Sequence, residues 1–231
     1  MPLTLPIRDV VAATPRARIV RIDLLGEPFP YLPGQAVRIS SPGSEKARTY
    51  SIAGSPEDAE RGNCLELLVG VDAQGRAGDV ELEPQVLVDV DGPSGRFTFP
   101  DSPEARRFVF VAGGTGIAPL RAMMRHALHA QHQQIGLLYS ARVPGEFAYE
   151  AELQELAREG RIELKQKITR DTPAEHWSGH RGRIGRDDLS PLVHGDDTLC
   201  FVCGPRAMVD EIPKLLEELG ARKDRIRIEE W

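Results

Sequence analysis

Three short stretches hold the residues with the most chemistry to offer. In "VFVAGGTGIAPLRAMM" a strand-like run enters Gly113-Gly114-Thr115-Gly116, and Pro119 stands where a helix would take its first turn. Glycines let a backbone turn sharply and approach a phosphate, while the free N–H groups and positive end of a helix favour an anion. The spacing is not the G-x-G-x-x-G dinucleotide fingerprint, so a tight turn with no ligand also fits. In "CFVCGPRAMVDEI" Gly204-Pro205 again separate a buried-strand pattern from a helical one, with Cys203 ending the strand. A thiol there can touch a flat ring without competing for hydrogen bonds, although residue statistics favour a Cys that merely packs. The third stretch, "KARTYSIAG", sets Arg48, Thr49, Tyr50 and Ser51 on a strand, so that Arg48 and Tyr50 share one face. An Arg clamps phosphate, a Tyr offers a ring for stacking, and a Ser donates to a ring nitrogen. A solvated strand face would look the same.

Such turns work only if regular elements hold them, and the chain changes rhythm to supply those elements. Residues 1–100 read as short strands ("ARIVRIDLL", "QAVRIS", "RTYSIA", "CLELLVGV", "VLVDVDG") between Gly, Pro, Ser and Asp clusters, the pattern of an antiparallel barrel or sandwich. Residues 101–231 alternate buried strands ("RRFVFVAG", "IGLLYSA", "IELKQKIT", "TLCFVCG") with helical segments ("PLRAMMRHALHAQ", "FAYEAELQELAREG", "PRAMVDEIPKLLEELG"). That alternation predicts a doubly wound parallel sheet, whose ligand crevice runs along the carboxyl ends of its strands, so the two glycine turns can flank one ligand. The Pro- and charge-rich "FTFPDSPEARRF" marks the boundary.

Composition narrows the function classes. The 231 residues suffice for one large domain or two smaller ones with a core that needs no staple. The formal charge is -6 and neither side of residue 100 is basic, which argues against nucleic acid. No apolar run nears the roughly 18 residues of a membrane span, and "MPLTLPIRDVV" has neither the basic nor the apolar region of a leader, so a cytoplasmic protein is expected. Cys64, Cys200 and Cys203 are too few for a disulfide framework. Cys200-x-x-Cys203 matches half a zinc or redox motif but has no second pair, so no metal is expected.

Taken together and in order, these segments resemble the ferredoxin-NADP reductase superfamily of flavoproteins over essentially the whole chain. "RTYS" matches its R-x-Y-S flavin motif, "DGPSGRF" the G-P-x-G-x-F closing its barrel, "GGTGIAP" its nicotinamide-nucleotide pyrophosphate turn, "CGPRAM" its C-G-P turn, and "EEW" its C-terminal end. The resemblance implies a flavin-binding antiparallel β-barrel over residues 1–100 and a nicotinamide nucleotide-binding α/β domain over 101–231. It implies that Arg48 contacts the FAD pyrophosphate with Thr49 beside it, that Tyr50 stacks on the isoalloxazine, and that Ser51 hydrogen-bonds near flavin N5. The family's G-x-x-S element, at the start of a short helix, corresponds to Gly75-Arg76-Ala77-Gly78. Its serine is missing here, which leaves the N–H groups of Ala77 and Gly78 for phosphate and leaves FMN open as an alternative to FAD.

On the nucleotide side the resemblance implies that Gly114, Thr115, Gly116 and Pro119 hold the NAD(P) pyrophosphate and that Cys203, Gly204 and Pro205 border the nicotinamide. Arg142, Thr169, Arg170 and Arg183 look like the pocket for the 2'-phosphate of NADP, so NADPH is favoured over NADH. The stretch 161–186, with seven Lys or Arg against three acids, could instead be solvated surface or dock an acidic protein. The implied reaction is hydride transfer from NAD(P)H to flavin. Glu229 is the candidate carboxylate for tuning the flavin or relaying a proton, and Trp231 the candidate cover over the flavin ring. No cysteine cluster accompanies these segments, so the expected acceptor is a separate ferredoxin or similar iron-sulfur protein, reduced by a monomer with no nucleic-acid or membrane partner. Two alternatives stay open: a flavin reductase that releases reduced flavin, and an electron-transfer subunit of a larger complex.

Overall fold

The computed structural model describes residues 2–129, 132–170 and 177–230. The first six strands, β1 (Leu3–Thr14), β2 (Ala17–Asp23), β3 (Ala36–Ser40), β4 (Arg48–Ser51), β5 (Cys64–Gly70) and β6 (Leu87–Ser94), form one antiparallel sheet in the order β4-β3-β6-β1-β2-β5. Its two edges meet through an antiparallel bridge between Ile52, just past β4, and Leu67 in β5, so the sheet curls into a barrel. The interior follows from alternation. In β2, for example, Val20 and Ile22 point inward while Arg21 faces out to Glu66 and Asp9. Helix α1 (Pro56–Gly62) follows β4; Ser55 caps it reciprocally with Asp58, and Asn63 ends it in a left-handed conformation.

The remaining strands, β7 (Arg107–Gly113), β8 (Gln134–Ala141), β9 (Glu163–Ile168), β10 (His180–Arg181), β11 (Thr198–Gly204) and β12 (Ile226–Glu230), form a parallel sheet in the order β10-β9-β8-β7-β11-β12. Strands β7 and β11 are buried along almost their whole length, as expected for a sheet covered on both faces. One cover is α2 (Ile117–Ala127) with α3 (Glu150–Arg158). The other is α4 (Arg186–Leu189) with α5 (Arg206–Glu218). The order reverses between β7 and β11, which makes their carboxyl ends the topological switch point.

The two sheets are not packed independently. Phe97 and Phe99, at the end of the barrel segment, join Phe108, Phe110 and Phe201 of the parallel sheet in one buried cluster, with Phe99 stacked on Phe201 at 5.6 Å. No helix among the described residues is long and apolar enough to cross a membrane.

Two local expectations are corrected. The helix expected from Phe147 begins at Glu150, because Tyr149 adopts φ +60° and breaks the helical path before it. The element at Gly75–Gly78 does not open a helix. It runs into an Ala77–Val80 bridge, with Gly75 and Gly78 both at positive φ and Pro84 close behind. Any phosphate there meets loop amides and side chains, without a helix end.

Candidate active site

At the switch point the two glycine turns touch. An ideal Cβ placed on Gly204 would sit 3.4 Å from both N and Cα of Gly113, and one placed on Gly113 would meet Pro205 Cδ at 2.8 Å. Gly113 therefore leaves room for the Pro205 ring, while at Gly204 the tight neighbour is the Met208 thioether, whose Sδ would lie 2.6 Å from a Cβ. Gly114, at φ +55°, starts a 3₁₀ turn over Gly114–Gly116 that runs directly into α2, with Pro119 buried in its first turn. Tyr139, fully buried at the end of β8, donates to the Gly114 carbonyl at 3.0 Å and accepts from the Ala148 N–H at 3.1 Å. With that carbonyl held back, the amides of the turn and the Thr115 hydroxyl, which makes no hydrogen bond among the described residues, are left for a ligand.

These turns form one wall of a cleft of about 770 Å³ between barrel and parallel sheet. Of the sequence-derived residues, Gly114, Thr115, Arg142, Thr169, Arg170, Arg183 and Pro205 line it from the nucleotide side, and Arg48, Arg76 and Gly78 from the barrel. Arg16 joins them, so six arginines face three acids, Asp72, Glu146 and Glu211, in a chain whose net charge is negative. Such a cleft concentrates anions. Arg142 and Arg170 are brought together by the bond from Arg170 N–H to the Arg142 carbonyl, 2.9 Å, and neither has an acidic partner among the described residues. Arg183 lies 4.0 Å from Glu211. Elsewhere in the described part of the basic stretch, Lys165 and Lys167 converge on buried Asp188, and Arg186 reaches Glu218.

Arg48 lies flat over Gly78: a Cβ there would meet its guanidinium at 2.6 Å, so the missing side chain makes room for the cation. Tyr50 packs its ring against the barrel cluster and buries a hydroxyl that has no hydrogen-bond partner among the described residues. Burial raises that hydroxyl's pKa, and the nearby Arg48 cation partly offsets the rise. Thr49 is exposed and Ser51 half-buried opposite Ala36. Thr49, Tyr50, Ser51, Gly75, Ala77, Gly116, Pro119, Cys203, Gly204 and Glu229 do not line the 770 Å³ cleft.

Cys203 is 1% exposed, in register between Ala112 of β7 and Glu229 of β12. Burial first, and the Glu229 charge second, push its thiol pKa up. Desolvation likewise raises the Glu229 carboxyl to about 6. Cys200 and Cys203 are three residues apart on a strand, face opposite sides of the sheet and enter different clusters, so the C-x-x-C spacing does not join their sulfurs. Trp231 lies outside the described residues.

Sequence reasoning missed Tyr139, Arg16 and the buried Arg121. Arg121 could have been noticed as a cation on the apolar face of "PLRAMM", whereas Tyr139 reads as an ordinary strand residue until its partner is known.

Comparisons with known proteins show the family and the fold. Residues 110–214 match the family model for the oxidoreductase NAD-binding domain. Ferredoxin–NADP reductase B of Sorangium cellulosum is 33% identical over 220 residues, covering 89% of this chain and 87% of the relative. Oxidoreductase NAD-binding domain-containing protein 1 of Danio rerio is 27% identical, covering 96% of this chain and 89% of its own. Among solved structures, the Amycolatopsis cytochrome P450 reductase GcoB superposes over all of this chain and 69% of that one, with a TM-score of 0.82 and 28% identity.

Proposed function

The chain belongs to the ferredoxin-NADP reductase superfamily of flavoproteins, and from that premise we propose that it takes hydride from NADPH onto a retained FAD and passes electrons to a separate iron-sulfur protein. The observation that carries the reading is the arginine-lined cleft at the switch point, which suits two pyrophosphates and an additional phosphate. The cofactors fit what is there: a cation laid on a glycine and two cleft arginines without acids. When bound, FAD supplies the conversion between a two-electron hydride and the single electrons an iron-sulfur protein accepts.

The chain's own residues would supply position and polarity. Arg48 would neutralise the FAD pyrophosphate over Gly78, helped by Gly75, Arg76 and the amides of Ala77 and Gly78, and Thr49, Tyr50 and Ser51 would border the flavin ring. Gly114, Thr115, Gly116 and Pro119 would hold the dinucleotide pyrophosphate, with Gly204, Pro205 and Cys203 beside the nicotinamide. Arg142, Thr169, Arg170 and Arg183 would receive the 2'-phosphate, since a charge-assisted contact to phosphate is among the stronger hydrogen bonds available. The Arg48–Gly78 arrangement favours FAD kept as a prosthetic group over flavin released as product. The name of the Sorangium relative supports a ferredoxin as acceptor. Pairing of Lys165 and Lys167 with Asp188, and of Arg186 with Glu218, argues against these three cations as the docking surface.

The test compares kcat/KM for NADPH and NADH with ferredoxin, free flavin and ferricyanide as acceptors. Arg170→Ala is expected to raise KM for NADPH about tenfold, the loss of one charged hydrogen bond, and to leave NADH unchanged. Equal effects on both would remove Arg170 from the 2'-phosphate site.

Glu229 would hold or release a proton at the end of β12. Its folded pKa, about 6, stands above the ordinary 4.5, so the protonated form favours the fold. That stabilisation is fully present below pH 4.5 and is lost as pH rises through 6. Glu229→Gln, which cannot ionise, is expected to melt progressively higher than the unsubstituted protein as pH rises across this window. A melting difference independent of pH would contradict it.

A further inference from the structure

Arg121 is the buried cation of the interface, 7% exposed on α2 one turn beyond the Gly114–Gly116 turn. Every nitrogen of its guanidinium is engaged. Nη1 donates to the Ala53 carbonyl at 2.7 Å and to Glu66 Oε1 at 2.8 Å, and Nε and Nη2 reach Glu152 Oε2 at 2.9 and 2.7 Å. Its face lies 4.1 Å from the centre of the Tyr149 ring. The partners come from three directions: the segment just after β4, strand β5 of the barrel, and α3 of the nucleotide side.

Ala53 stands two residues beyond Ser51, and its N–H donates to the Glu66 carbonyl at 2.8 Å. The neighbouring Gly54 carbonyl accepts from the Tyr31 hydroxyl at 2.9 Å. The segment just past β4, a strand that itself pairs with β3, is therefore held on one side by β5 and on the other by Arg121. A second rung repeats the link one helical turn later: Arg125 pairs with Asp58 of α1 and shares the Glu152 carboxylate at 2.6 Å, and His126 meets Glu57 at 2.7 Å. A largely buried charge cluster contributes little net stability compared with apolar packing, but its hydrogen bonds favour one relative placement of its members. An apolar interface alone would tolerate sliding that this fork does not.

We propose that Arg121 is a positioning residue for hydride transfer: by bonding the backbone beside Ser51 to the helix that opens at the pyrophosphate turn, it sets the separation of flavin and nicotinamide. The proposal rests on the reductase reading above. It assigns Arg121 no contact with either cofactor. Misplacement of about 1 Å in such a geometry can cost on the order of 100-fold in rate.

The experiment uses the holoenzyme and the variants Arg121→Met and Arg121→Lys. Three quantities are measured: retained FAD and NADPH affinity, the anaerobic rate of flavin reduction at saturating NADPH, and the distance distribution between spin labels. The labels are introduced by Glu45→Cys and Glu159→Cys in a Cys64→Ser background. For Arg121→Met the expected result is cofactor affinity within about threefold, a saturating reduction rate lower by about tenfold or more, and a broadened distance distribution, with Arg121→Lys recovering part of both. An unchanged rate and distribution, with only the melting temperature lowered, would overturn the proposal. Should Arg121→Met not fold, Arg121→Lys and Glu152→Gln carry the same comparison. If the unsubstituted protein is reduced by neither nicotinamide, the reductase reading itself fails, and that outcome is distinct from an active protein indifferent to Arg121.

Discussion

Arg48→Ala protein is expected to leave a desalting column colourless. The guanidinium lies over Gly78, where a Cβ would come within 2.6 Å of it, and that glycine is at φ +70°, so loop and cation are shaped to each other. Two charge-assisted hydrogen bonds to a pyrophosphate would be lost. At roughly 1.5–3 kcal/mol for a charged bond, partly replaced by Arg16 and Arg76 in the same cleft, FAD affinity should fall on the order of 100-fold. Arg48→Lys should keep part of it, because an ammonium retains the charge but not the planar fork. The measurement is flavin retained per protein, together with the rise in melting temperature on adding FAD, which scales with the logarithm of concentration over Kd. Retention of full yellow colour by Arg48→Ala would remove this residue from the flavin site.

Gly113→Ala is expected to impair the nucleotide side as severely while sparing FAD. The new Cβ would meet Pro205 Cδ at 2.8 Å and Met208 Cε at 3.1 Å. The methionine end can swing aside, but the proline ring cannot, so the β7 and β11 turns must separate by several tenths of an ångström. Overpacking of this kind costs about 1–3 kcal/mol, and here the strain falls on the amides and Thr115 that would face the dinucleotide. Turnover at low NADPH should drop between roughly tenfold and 100-fold, with flavin content unchanged. Wild-type kinetics for Gly113→Ala would show that the contact of the two turns has no part in binding.

The parts of this fold that could be read in advance are those encoded locally. Continuous apolar runs gave β7 and β11 as buried parallel strands, and alternation in "ARIVRIDLL" gave β2 as a half-buried barrel strand. Strand β1 escaped notice, although it is the longest, because Pro6 and a polar Arg8-Asp9 pair interrupt its pattern and its bulges break the register. The glycine turns were legible because the residue type itself reports backbone geometry. Their contact was not, since it depends on strand order.

The same distinction separates the arginines. Arg142, Arg170 and Arg183 could be nominated because each follows a strand, but only the bond between the ends of β8 and β9 brings the first two together. Arg121 was invisible for the opposite reason: its partners lie 31, 55 and 68 residues away, in elements whose meeting no local pattern announces. The interface was also hidden in the motif-based division at residue 100, because Phe97 and Phe99 look like the end of a barrel and serve as part of the second sheet's core.

The central claim is that a bound flavin in this chain takes hydride from a reduced nicotinamide. Anaerobic titration of the desalted protein tests it directly, first with NADPH and then with NADH, following visible flavin absorbance. The expected result is yellow protein that bleaches stoichiometrically, at lower concentration with NADPH. Protein that holds flavin yet keeps its full absorbance with both nucleotides would contradict it.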